Sequence, residues 1–244
     1  MSREYFDDTN WMQAEYAGGY RQHADNFILG RRMQHFIMQS FYRYFLAERA
    51  PFHLLDLGCG DGELAAQIKA VAPDAHLTLV DGSANMLDAA RKRFADEPDV
   101  TFKQATFAEL IADSTGLQQY DMIVSGFAIH HLYLPEKVAL FKTIYKHVKP
   151  GGAFINIDTV LPSDNEALVN WYYKCWEEWI VARQQQLGLS EDYRDVPEDA
   201  RYKPENKLST LDVQLESLKS VGFTDVGCHY QNSIFVVFSG VKKA

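Results

Sequence analysis

Three glycines alternate with a cysteine and an acid in Gly58-Cys59-Gly60-Asp61-Gly62, directly after the apolar run 53–57. Such a stretch lets the backbone turn tightly and approach a ligand closely where the next helix starts. The spacing is G-x-G-x-G, so Glu63 stands where the dinucleotide pattern G-x-G-x-x-G has its third glycine. That argues against a pyrophosphate-bearing cofactor. Asp81 ends the next apolar run, 21 positions after Gly60. A carboxylate there can accept hydrogen bonds from both hydroxyls of a ribose, and it can equally cap the helix that follows Gly82-Ser83. Together the two features point to an adenosine ligand without a diphosphate. His130 and His131 follow a later apolar run. Either can take a proton from an oxygen or nitrogen nucleophile near neutral pH, or one can pack while the other caps a helix. Adjacent side chains converge poorly on an ion, and no cysteine or carboxylate trio accompanies them, so no metal site is expected.

These residues must be positioned by elements that the hydrophobic pattern reveals. Short apolar runs at 53–57, 77–80, 100–102, 122–124 and 153–158 read as strands, and helical spacing at 64–71, 84–94, 107–111 and 136–148 lies between them. The alternation predicts an α/β fold with a doubly wound, mostly parallel sheet covered on both faces. Lys149-Pro150-Gly151-Gly152 is expected to stop the last of these helices. Residues 27–47 read as an amphipathic helix entered from Gly18-Gly19-Tyr20, part of an N-terminal helical cap over 1–49. The core then spans 50–244 and carries a helical insertion, 161–206, covering the acceptor side. That insertion holds a long helix, 165–187, with Leu168, Tyr172, Cys175, Trp176, Trp179 and Ile180 on one face. Trp171, Tyr172, Tyr173, Trp176 and Trp179 are more rings than one buried face needs, so some are expected to wall a cavity. The polar stretch 188–207 reads as mobile, 209–221 as a capped helix, and 226–230 with 234–238 as a closing hairpin.

With 244 residues, 47% hydrophobic and 23% charged, the chain has ordinary globular usage and can bury a core without staples. Its net charge of −9 argues against a nucleic-acid partner. No apolar run reaches the length of a membrane span, and the N-terminal residues lack the charged-then-apolar order of a secretory signal. Three cysteines make no disulfide framework, so a reducing cytoplasm is expected.

Four segments, 54–62, 79–86, 120–125 and 148–152, resemble the successive motifs of class I S-adenosylmethionine-dependent methyltransferases: Leu-Leu-Asp-Leu-Gly-Cys-Gly-Asp-Gly, Leu-Val-Asp-Gly-Ser-Ala-Asn-Met, Tyr-Asp-Met-Ile-Val-Ser and Val-Lys-Pro-Gly-Gly. The resemblance covers roughly 50–160 and implies a seven-stranded Rossmann-like methyltransferase sheet whose last strand is antiparallel. It implies S-adenosylmethionine as cofactor, S-adenosylhomocysteine as product, and methyl transfer to a small-molecule O, N or C nucleophile. Carried onto this sequence, Gly58, Cys59 and Gly60 line the methionyl part and Asp56 organises the turn beneath. Asp81 holds the ribose, and Gly82, Ser83 and Met86 flank the adenine. Ala105, Thr106 and Phe107 stand where the family often has an adenine-binding Asp, leaving Thr106 one hydrogen bond to offer. Ser125, Gly126 and Phe127 form the floor beside the sulfonium, His130 or His131 supplies a base, and Tyr20 is the lid residue.

The two ends are similar to the branch containing carboxy-S-adenosylmethionine synthase, an alternative that acts in tRNA modification and needs an arginine from the insertion. Arg183, Arg194 and Arg201 are available there without a clear match. A non-catalytic S-adenosylmethionine-binding module is the third reading, and the oligomeric state, homodimer included, stays open.

Overall fold

The apolar runs become parallel strands: those buried on both faces have no polar side to show, and the half-exposed run at 100–104 takes the sheet edge. These are β1 (His53–Leu57), β2 (His76–Asp81), β3 (Val100–Gln104), β4 (Tyr120–Gly126) and β5 (Val148–Thr159), all parallel. The computed structural model describes residues 24–190 and 192–244. In it β7 (Phe235–Val241) pairs antiparallel with β5, and β6 (Thr224–Asn232) pairs antiparallel with β7. The seven strands run in the order β3-β2-β1-β4-β5-β7-β6. Strand order reverses between β1 and β4, which opens a crevice at their carboxyl ends.

Helices cover both faces. On one, α1 (Arg31–Phe45), α2 (Glu63–Lys69) and α3 (Ala84–Arg93) bury Met38, Tyr42, Ile68 and Leu87 in a shared cluster. On the other, α4 (Phe107–Ala112), α5 (Leu134–His147) and α8 (Leu211–Val221) bury Leu110, Phe141, Ile144 and Leu218. The insertion supplies α6 (Glu166–Leu187) and α7 (Val196–Tyr202). Among the described residues no helix is long and apolar enough to cross a membrane.

Several boundaries differ from the periodicity. The helix expected from residue 27 begins only at Arg31, because Gly30 adopts a left-handed φ of 67°. A Cβ at Gly30 would stand 2.0 Å from the Tyr230 hydroxyl, so the chain bends there to let the edge strand dock. The short helical turn before it, 24–27, packs instead on α6, where the Trp176 Nε1–H donates to the Phe27 carbonyl at 2.6 Å. The buried face of α6 is therefore Tyr173, Trp176 and Ile180, while Leu168 and Trp171 face solvent. Lys149-Pro150-Gly151-Gly152 is not a loop between helix and strand. It already belongs to β5, with the Gly151 N–H donating to the Lys242 carbonyl and the Lys242 N–H to that of Gly152. The polar stretch 188–207 contains α7, whose Pro197 is buried.

Candidate functional site

A cavity of about 190 Å³ opens at the carboxyl ends of β1, β2 and β4. Its wall is the glycine loop after β1, and two of those glycines serve different ends. Gly58 has φ 64°, and a Cβ there would lie 2.5 Å from that of Ala128, so a packing contact excludes any side chain. Gly60 has φ 56°, yet its Cβ would meet only the Met86 sulfur at 4.0 Å. What Gly60 leaves clear is the cavity itself.

Asp81 joins this loop to β2. One carboxylate oxygen accepts the Gly60 N–H at 2.9 Å and the other accepts the Ser83 N–H at 2.8 Å. Burial raises its pKa against the pull of these two amides. Asp81 does not cap α3; Ser83 does, accepting the Met86 N–H, and Ser83 lies buried behind the wall. Asp56 lines the cavity with Gly58, Cys59 and Gly60. One of its oxygens accepts the Ala65 N–H at 3.1 Å, and the other is buried without a partner among the described residues. Burial, then the neighbouring Asp81, pushes the Asp56 carboxyl up to about 7. Burial likewise holds the Cys59 thiol protonated, well above its ordinary range.

Gly82, Met86, Ala105, Thr106 and Phe107 line the same cavity. The Thr106 hydroxyl donates to Glu109 at 2.9 Å and accepts that residue's N–H, forming a capping box at α4. Its donor is therefore committed within α4, and what the hydroxyl has left for a ligand is an acceptor position. Gly126 and Phe127 form the floor, whereas Ser125 lies behind it and donates to the Leu57 carbonyl at 2.7 Å. Phe127 holds φ 51°, a conformation a bulky residue adopts only when its surroundings impose it. Tyr20 lies outside the described residues.

The two histidines separate. Both sit in a 3₁₀ turn, Ile129–His131, after β4. His130 is buried against Asp158, with its Nδ1 at 2.6 Å and its backbone N–H at 3.1 Å from the carboxylate, and it does not line the cavity. His131 does line it. Its Nδ1 lies 3.2 Å from the Glu205 carbonyl, and a carbonyl only accepts, so Nδ1 carries the proton and Nε2 the lone pair. Burial and the His130 ring, 4.0 Å away, lower the His131 pKa well below the ordinary range. Beneath this turn the buried Lys137 ammonium donates to the Leu132 and Lys207 carbonyls and the Ser209 hydroxyl, fastening the end of the insertion to it. Burial brings Lys137 down to about 8.

The five α6 rings do not wall the cavity. Tyr173 and Trp176 are spent on residues 24–29 and β7, and Trp171 is exposed. The insertion arginines are also elsewhere. Arg183 donates to the Asp25 carbonyl, Arg194 pairs with Asp192, and Arg201 lies over the Tyr173 ring. The cavity's arginines are instead Arg31 and Arg93, and His35 joins them. Arg93 is held by Asp61 at 2.6 Å and Glu63 at 3.1 Å, so the residue that breaks the dinucleotide glycine pattern is part of an ion network. Reading the sequence missed Arg31 and His35; their four-residue spacing inside an amphipathic helix was the only signal. No group of three metal-ligating side chains occurs among the described residues.

Residues 55–154 match the family model described as a methyltransferase domain. The demethylmenaquinone methyltransferase of Leptospira interrogans is 28% identical over 137 residues, 55% of this chain and 52% of that protein. The carboxy-S-adenosyl-L-methionine synthase of Chromohalobacter salexigens is 29% identical over 199 residues, 79% of this chain and 69% of that protein. The chain spans about half the length of the first of these relatives. In fold, the chain is similar to human N-acetylserotonin methyltransferase in complex with SAM. That likeness has a TM-score of 0.55 at 17% identity, over 100% of this chain and 63% of that one. The Rossmann-like sheet with an antiparallel last strand, as the motifs implied, is the fold the chain adopts.

Proposed function

We propose that the chain is a cytoplasmic enzyme that transfers the methyl group of S-adenosylmethionine to a small-molecule O, N or C nucleophile, leaving S-adenosylhomocysteine. The observation that carries this reading is Asp81, fixed by two backbone amides at the end of β2 beside the open side of Gly60. The orphaned buried oxygen of Asp56 fits the same ligand, whose amino-acid end brings a cation. The cofactor supplies a methyl group already activated by positive sulfur. The chain's own residues then have to align the two reactants and exclude water, which can contribute ~7–11 kcal/mol through proximity. His131, with its lone pair on Nε2, is the group on the cavity wall suited to accept a hydrogen bond or proton from the acceptor. The pair His130–Asp158 holds the turn in place.

A net charge of −9 favours a small acceptor over nucleic acid. The carboxylated-cofactor reading keeps one specific support, a match that extends over 79% of the chain. No insertion arginine lines the cavity, however, which favours ordinary methyl transfer. Calorimetry with S-adenosylhomocysteine tests the site. Asp81→Ala should lose two charge-assisted hydrogen bonds of ~1.5–3 kcal/mol each, at least a hundredfold in affinity. Wild-type affinity in that variant would remove the reading's main support.

A further inference from the structure

We propose that Arg31 and His35 form a carboxylate-binding subsite on the α1 wall of the cavity. Among the charged side chains of described residues that line the cavity, Arg31 is the one left to meet an anion. Asp56, Asp61, Glu63 and Asp81 are acids, and Arg93 is taken up by Asp61 and Glu63. Arg31 is taken up only in part. Its Nη1 donates to Asp25 at 2.6 Å, but Nη2 stands 3.9 Å from Glu63, too far for a hydrogen bond. The remaining donors of the guanidinium therefore have no acceptor among the described residues. A planar guanidinium with two free parallel donors fits the geometry of a carboxylate.

His35 lies one turn along the same helix face. It is only 7% exposed, lines the cavity, and has no hydrogen-bond partner among the described residues. Burial, and then Arg31, lower its pKa to about 4, so the ring is neutral at pH 7. A neutral imidazole still donates one N–H, and it does so without placing a second cation beside the guanidinium. Two donors that the protein leaves unused, on adjacent turns and facing one cavity, are thereby accounted for by one ligand group.

This inference rests on the cofactor reading above, because a carboxylate can come from the amino-acid end of the cofactor or from the acceptor. Calorimetry on wild type, Arg31→Met and His35→Leu separates the sources, using S-adenosylhomocysteine and 5′-methylthioadenosine, which lacks the amino-acid end. If the cofactor supplies the carboxylate, both variants should weaken S-adenosylhomocysteine at least tenfold and leave 5′-methylthioadenosine unchanged. If the acceptor supplies it, both nucleosides should bind as in wild type. Malonate added to protein saturated with S-adenosylhomocysteine should then raise the melting temperature of wild type and not of the variants. Should Arg31→Met unfold, Arg31→Lys keeps a charge for Asp25 but lacks the planar fork, and it should show the same selective loss to a smaller degree. Equal losses for the two nucleosides, or wild-type binding of both with no difference in the malonate response, would overturn the subsite. Wild-type protein that binds neither nucleoside overturns the cofactor reading itself, a failure visible before any variant is made.

Discussion

Alanine at Gly58 and alanine at Gly60 should do opposite things, although the two positions are two residues apart and share a left-handed backbone. Their φ values are 64° and 56°, so an L-residue costs roughly 1–2 kcal/mol at either. The difference lies in what the new methyl group meets. At Gly58 it would stand 2.5 Å from the Ala128 Cβ and 3.1 Å from the Phe107 ring, an overlap that adds ~1–3 kcal/mol. At Gly60 it would meet only the Met86 sulfur at 4.0 Å. For a chain of this length, ~1 kcal/mol moves the melting temperature by ~2–4 °C. Gly60→Ala should therefore melt only a few degrees below wild type, and Gly58→Ala by about 4–20 °C. Affinity for S-adenosylhomocysteine should rank the other way among folded variants. Gly60→Val, which fills the space the ligand needs, should abolish binding while circular dichroism reports a folded chain. Equal melting temperatures for the two alanine variants would refute the packing argument. Wild-type ligand protection in Gly60→Val would refute the claim that the cavity is where the ligand lies.

Asp56 predicts a pH dependence. Its folded pKa of about 7 lies above the ordinary carboxylate value, so between the two the folded chain holds a proton that the unfolded chain has released. Stability should fall as pH rises through that window, and Asp56→Asn should flatten the fall in thermal melts from pH 5 to 8; an unchanged slope would contradict the assignment. Asp158→Ala strips the buried His130 of its carboxylate partner and should cost ~2–4 kcal/mol in denaturant unfolding, with S-adenosylhomocysteine affinity kept. His131→Ala should leave cofactor affinity near wild type and lower turnover ~10²–10⁴-fold for an acceptor that must lose a proton, measured as S-adenosylhomocysteine released. Tyr20→Ala should weaken S-adenosylhomocysteine binding at constant melting temperature if that residue closes over the cofactor, and lower only the melting temperature if it packs.

The sheet was legible because buried parallel strands read as unbroken apolar runs and the turns between them carry Gly, Pro and Asp. The glycine loop and Asp81 were legible for the same reason, since both sit at strand ends that the pattern marks. The start of α1 was not. Amphipathic spacing continues through Gly30, and only the Tyr230 hydroxyl, 200 residues later in sequence, reveals why the chain bends. The face of α6 was misjudged because its rings serve the 24–29 segment as well as the sheet, a pairing across about 150 positions that no local period encodes. His130 and His131 are adjacent and alike in sequence. Asp158 and Glu205, brought to them by β5 and the insertion, give one a buried partner and leave the other on the cavity wall. Arg31 and His35 read as the polar side of a helix until the fold turns that side toward the glycine loop.

The most direct test of the account is mass spectrometry of whatever small molecule the wild-type chain retains on purification, followed by the same measurement on Asp81→Ala. S-adenosylmethionine or S-adenosylhomocysteine with the wild type, absent from the variant, is the predicted result. A retained cofactor carrying an additional carboxylate would contradict the proposed transfer of a plain methyl group. An unrelated ligand, or an adenosyl ligand retained equally by both proteins, would contradict the assignment of Asp81 and the cavity.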